Sequence, residues 1–170
     1  MLAETAPDLA IVVTPHRFHA DIAVKCLEKG SHVLCEKPMA TTTADCDRMI
    51  QAAEKAGCVL AVGHFRRFFP SSTMIKRILD AELLGPARSF QFLEGEIYSW
   101  PTQTGSFFRR AEAGGGVLIE ADVHTMDLLL WWLGDVAEVL YQDDSIGGVE
   151  ANCRMRLKMT SGAKGIVQLS

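Results

Sequence analysis

A buried strand followed by an amphipathic helix occurs twice before residue 64, and this repeat admits few architectures. Leu9-Ala10-Ile11-Val12-Val13 is a continuous apolar run rich in β-branched residues, the pattern of a central parallel strand covered on both faces. Thr14-Pro15 supplies an N-cap and first helical residue. Ala20, Ala23, Val24 and Leu27 then mark one face of a helix that Gly30 ends. The unit repeats with His32-Val33-Leu34-Cys35 as strand. A helix capped by Thr42 or Thr43 follows, with Cys46, Met49, Ile50 and Ala53 at positions i, i+3, i+4 and i+7, and Gly57 closes it. Cys58-Val59-Leu60-Ala61-Val62 is the third strand. Strands separated by helices call for a parallel sheet, so residues 8–63 are expected to form half of a doubly wound α/β fold.

After Gly63 the pattern changes, and a second domain over 64–170 is expected to follow the first over 1–63. Pro70 to Leu79 predicts a helix and Ala87 to Tyr98 a long strand. Residues 99–115, rich in Pro, Gly, Thr and Ser with Trp100, Phe107 and Phe108 interspersed, predict a long functional loop. Val117 to Leu133 predicts one strongly apolar helix, with Trp131 and Trp132 as packing residues at its end. Val136 to Gln142, Ala151 to Met159 and Gly165 to Leu169 predict successive strands of a mostly antiparallel open sheet, with turns at Ile146-Gly147-Gly148 and Ser161-Gly162.

Composition removes several functions. With 170 residues, 48% of them apolar and 22% charged, the chain can bury a core. A net charge of -4 without a Lys/Arg cluster argues against nucleic acid as a partner. The start Met1-Leu2-Ala3-Glu4-Thr5-Ala6-Pro7 lacks the regions of a signal peptide, and no apolar run approaches a membrane helix, so the expected location is the cytoplasm. The five cysteines form no C-x-x-C pair and four lie in apolar periodic segments, so reduced core thiols are expected and no metal site.

In an open parallel sheet, ligands bind outside the carboxyl ends of the strands, where unpaired helix N-H groups converge. The residues just past each strand are Thr14, Pro15, His16 and His19; Glu36, Lys37 and Pro38; and His64, Phe65 and Arg66. Lys37, between a buried strand and a proline, is either a lysine at a functional corner or an ordinary loop lysine. His16 and His19 are either polar residues of a helix start or contacts to a nucleotide, and no carboxylate or cysteine at ligand spacing accompanies them. On the later helix, Glu120, His124 and Asp127 stand at i, i+4 and i+7 and are expected to share one face. That stripe either meets water or lines a cavity, and carboxylates flanking an imidazole suit general acid-base work. Asp122 lies off the stripe and is expected at solvent or between domains. Gly114-Gly115-Gly116 allows close packing at the helix start, outside any phosphate-loop pattern.

Taken in order, Thr14-Pro15 with His19, Cys35-Glu36-Lys37-Pro38, Gly63-His64-Phe65-Arg66-Arg67-Phe68, Gly114-Gly115-Gly116 through His124 and Asp127, and Gly147-Gly148-Val149-Glu150 resemble the Gfo/Idh/MocA oxidoreductases. The resemblance runs from about Asp8 to Ser170. It implies a partial Rossmann domain joined to an α/β domain whose open sheet makes homodimers or homotetramers, with NAD or NADP as cofactor and a sugar, cyclitol or related polyol as substrate. Lys37 is then a catalytic lysine near the nicotinamide and His124 the general base. Glu120 stands where the family usually has Asp, to orient the imidazole. Thr14, Pro15, His16, His19, Glu36, Lys37 and Arg66 are the implied cofactor residues, and Arg66, Trp100, Arg109 and Asp127 the expected substrate contacts, Tyr98 standing beside them. No G-x-G-x-x-G occurs, so the chain is expected to be a fragment lacking two βα units and the C-terminal end, and to bind NAD(P) poorly as given. A non-catalytic binding or oligomerisation module of the same family is the alternative, and a hydride-using hydrolase a third option.

Overall fold

The computed structural model describes residues 7–95, 105–120, 122–146 and 148–170, apart from the side chains at 106 and 107. The chain divides into two compact units, Met1–His64 with Ala111–Gly114, and Phe65–Arg110 with Gly115–Ser170.

In the first unit, β1 (Leu9–Val12), β2 (His32–Cys35) and β3 (Leu60–Val62) form a parallel sheet in that order. A 3-10 turn over His16–Phe18 leads into α1 (His19–Leu27), and α2 (Thr43–Ala56) joins β2 to β3. Thr42 begins α2 as expected: its backbone is extended and its hydroxyl accepts the Asp45 amide at 3.1 Å. Gly57 ends it at φ 64°, a conformation costly for any residue with a Cβ. The apolar stripes of both helices pack on the sheet, where Val12, Ala23, Leu27, Val33, Cys35 and Met49 make the core.

Two expectations change here. Among the described residues β1 is an edge strand, and the sheet is covered on one face only. Consecutive crossovers of one hand leave both helices on the same side. Val12, Val33 and Cys35 therefore point inward, whereas Leu9, Ile11, Val13, Leu34 and Val59 are exposed. Thr14 is also not a helix cap. The 3-10 turn begins after Pro15, and the Thr14 hydroxyl is buried without a hydrogen-bond partner. Residues 111–114 belong to this unit, with Glu112 paired to Arg17 at 2.9 Å.

In the second unit, α3 (Pro70–Asp80) and β4 (Ser89–Glu94) precede the short α4 (Val117–Glu120), α5 (Val123–Leu133) and the strands β5 (Val136–Asp143), β6 (Cys153–Met159) and β7 (Lys164–Leu169). The sheet order is β4-β7-β6-β5, antiparallel except for the parallel β4/β7 pair. Strict alternation along β6 sends Cys153, Met155, Leu157 and Met159 against α5 and leaves Arg154, Arg156 and Lys158 on the other side. Full burial of Leu129, Met159 and Leu169 contributes about 1.5–3 kcal/mol each. The opposite sheet face carries a shallow hollow of about 890 Å³ lined by Gln91, Glu138, Leu140, Arg156, Lys158 and Ile166, among others. The expected single helix over Val117–Leu133 is two pieces, because the Asp122 amide bonds the Val117 carbonyl five residues back, a wide turn that breaks the 3.6-residue phase. Tyr98, Trp100 and Gly147 lie outside the described residues.

Candidate active site

The first unit gathers the residues expected at the carboxyl edge of its sheet. The Glu36 amide donates to Val12 and the Gly63 amide to Cys35, each at 2.9 Å, which brings the ends of β1, β2 and β3 level. The Glu36 carboxylate accepts the Lys37 amide at 3.1 Å and lies over Gly63, where a Cβ would come within 3.4 Å of it. Lys37 and His16 are half-buried, Pro15 is exposed and Pro38 is buried, with a cis Lys37-Pro38 peptide. His19, expected as a cofactor contact, lies beneath this edge. Its side chain is wholly enclosed, with Nδ1 2.8 Å from the Pro38 carbonyl oxygen and Nε2 2.7 Å from that of Thr14. The imidazole thus serves the backbone beneath the edge, because both its nitrogens are committed there.

The second unit is organised around the start of α5. His124, 5% exposed, meets the Phe65 ring edge-to-face with centroids 4.7 Å apart. One turn on, Asp127 accepts two hydrogen bonds from Arg67, from Nε at 2.7 Å and Nη2 at 2.6 Å. This bidentate pair raises the Arg67 guanidinium further above its ordinary value, and the same guanidinium lies 5.5 Å from the Trp131 ring centre. Arg66 donates to Glu94 at 2.6 Å, and the buried Thr125 hydroxyl donates to the other Glu94 oxygen. These contacts tie the turn over Phe65–Phe68 and the end of β4 to the helix bearing His124.

The wide turn between α4 and α5 means that spacing alone no longer puts Glu120 on the face of His124, whereas His124 and Asp127 remain on one helix. Asp122, expected at solvent or between domains, is 2% exposed, which removes the solvent alternative. Arg109 is exposed. Sequence reasoning missed Arg67, Glu94 and Thr125. A signal existed for Glu94, since alternation along β4 places it on the same face as Phe90 and Phe92. None existed for Arg67, whose partner is 60 residues away. The glycine run has a packing role that the sequence left open. A Cβ on Gly116 would overlap the Glu150 backbone, whose carbonyl accepts the Val117 amide at 2.9 Å.

Comparison with known proteins gives this geometry its context. Residues 1–64 match the model of an oxidoreductase family with an NAD-binding Rossmann fold, and residues 73–170 match the C-terminal domain of the same family. The chain belongs to the Gfo/Idh/MocA oxidoreductase family. Among curated Gfo/Idh/MocA proteins, 1,5-anhydro-D-fructose reductase of Ensifer adhaerens is 32% identical over 163 residues, which is 91% of this chain and 48% of that protein. Among solved structures, the WlbA dehydrogenase of Chromobacterium violaceum, in complex with NADH and UDP-GlcNAcA, aligns with a TM-score of 0.91 at 29% identity. That alignment covers all of this chain and 50% of the other. The aldose-aldose oxidoreductase of Caulobacter crescentus, complexed with glycerol, aligns with a TM-score of 0.86 at 30% identity over 95% of this chain and 50% of that one. The chain spans about half or less of the length of most of the curated relatives it matches. No helix among the described residues is long and apolar enough to cross a membrane.

Proposed function

We propose that this chain carries catalytic residues of an NAD(P)-dependent dehydrogenase acting on a CH-OH group of a sugar, cyclitol or related polyol. The observation that carries this reading is the enclosed His124 on the first turn of α5, braced by Phe65 in a helix that Arg67 and Asp127 lock, within a family whose fold binds NAD. The first unit's edge fits such a cofactor in one specific respect. The Thr14 hydroxyl, just past β1, is buried without a hydrogen-bond partner, and Glu36 and Lys37, just past β2, are half-buried. Thr14, Pro15, His16, Glu36 and Lys37 would hold the cofactor's nicotinamide side. Bound NAD(P) supplies the acceptor for the hydride.

The chain's own residues manage the proton and the charge. The substrate hydroxyl gives its proton to the His124 imidazole as the carbinol C-H bond breaks with its electron pair and the carbon-oxygen bond becomes a carbonyl. Lys37 donates a hydrogen bond to that oxygen while negative charge develops on it. Glu120 orients the imidazole, and Arg66, Trp100, Arg109 and Asp127 are the side chains proposed for the substrate's other hydroxyls. Asp127 does so with a carboxylate already held by Arg67. The open face of the β4-β7-β6-β5 sheet is proposed to pair with a second copy.

In the whole protein, His124→Ala and Lys37→Ala are each expected to lower kcat/KM by about 100-fold or more. His124→Ala should leave NADH affinity, measured by fluorescence titration, within about twofold. Turnover at the parent rate by either variant would exclude the assignment.

A further inference from the structure

The first amides of a helix usually bond a side chain just ahead of them, and the start of α4 has none to offer. Gly114, Gly115 and Gly116 precede Val117 and carry no side chain. The partner comes from 32 residues beyond Leu118 instead. Glu150, 5% exposed, accepts the Val117 amide on its backbone carbonyl at 2.9 Å and the Leu118 amide on Oε1 at 3.3 Å. A Cβ on Gly116 would overlap the Glu150 backbone, so the position that could carry a local cap is kept bare to admit the distant one. A carboxyl group enclosed to this degree costs stability unless it is hydrogen-bonded, and the Leu118 amide supplies that bond.

This cap is continuous with the turn that carries His124. The Val117 carbonyl accepts the Asp122 amide at 3.0 Å, and the Asp122 carbonyl accepts the Met126 amide at 3.0 Å. Backbone hydrogen bonds therefore run from Glu150 through Val117 and Asp122 to Met126, and His124 lies between the last two. The Gly116 carbonyl accepts the Ile119 and Glu120 amides at 3.1 and 2.9 Å, which holds the Glu120 backbone from the same point. We propose that Glu150 caps this segment in place of a local residue and thereby positions His124 and Glu120 for proton transfer. It is a positioning residue, acting through the backbone it holds. A displacement of about 1 Å at a general base can cost about 100-fold in rate, and loss of the Glu150 side chain leaves its carbonyl bond to Val117, so a smaller effect is expected. The positioning role rests on the dehydrogenase reading of His124, and the cap does not.

Two measurements separate these parts. In the full chain, Glu150→Leu removes the acceptor at similar size, whereas Glu150→Gln keeps a carbonyl oxygen of the same reach. Amide hydrogen exchange over residues 117–120 should be faster in Glu150→Leu and parental in Glu150→Gln. Parental protection in Glu150→Leu overturns the cap. If the leucine variant does not fold, Glu150→Asp, one methylene shorter with the same charge, gives the same comparison: faster exchange than in Glu150→Gln supports the cap and parental protection overturns it. In the whole enzyme, Glu150→Leu, or Glu150→Asp in its place, should lower kcat about tenfold and move KM for the alcohol less than about twofold, and Glu150→Gln should restore the rate. Combined with His124→Ala, the same variant should be no slower than His124→Ala alone. A mere loss of folded enzyme would multiply in both backgrounds, and that result overturns the positioning role. A His124→Ala enzyme of parental rate overturns that role together with the dehydrogenase reading, while hydrogen exchange still decides the cap.

Discussion

Arg67 reaches Asp127 with two nitrogens, so lysine in its place keeps the charge but gives up the fork. Asp127 is largely enclosed and Arg67 is 41% exposed, so solvent screens part of the interaction. Arg67→Lys is expected to cost about 1 kcal/mol, read from the urea midpoint. Thiols offer a second test. Burial pushes Cys35 up to about 11, with the Glu36 charge adding to it. Cys153 rises to about 11 as well, by burial first and then through Glu150 and Asp122. Both lie above the ordinary value of 9.0. Their contribution to stability is therefore whole below pH 9.0 and falls away as pH rises towards about 11. The melting temperature should drop over that alkaline window, and replacing either residue with Ser should move the drop. Near neutral pH both thiols should react with iodoacetamide more slowly than the half-buried Cys58.

At the scale of elements, local signals predicted the first unit well because its helices carry their own punctuation. Thr42 caps α2 and Gly57 ends it where expected, and Thr42→Ala should cost about 1 kcal/mol in thermal unfolding. The helix bearing His124 was less legible. Its apolar run reads as one piece, yet the wide turn at Asp122 divides it, and just ahead of its start Gly116 lies close against the Glu150 backbone. Gly116→Ala has to displace backbone rather than a flexible side-chain tip. It should destabilise the chain by about 2–3 kcal/mol, more than Thr42→Ala, with unfolding by denaturant as the check.

At the scale of the molecule, the open face of the second sheet alternates Arg154, Arg156 and Lys158 with the inward core residues, and Glu138 pairs with Lys158 across strands. If a second copy covers that face, Leu140→Glu, beside Arg156 in the register, should shift the scattering mass of the whole protein towards the monomer while the unit itself stays folded. A parent that is already monomeric would remove the pairing. The amino-acid sequence by itself determined the strand-helix repeat, the alternating faces of the second sheet and the family motifs that single out Lys37 and His124, because periodicity and turn chemistry act over a few residues. Only the tertiary structure decided that Leu9, Ile11 and Leu34 of the first sheet are exposed among the described residues, that Asp127 answers to Arg67, that Glu94 joins Arg66 to Thr125, and that His19 lies between two carbonyls. Each of those contacts depends on where segments meet after folding, which no local pattern records.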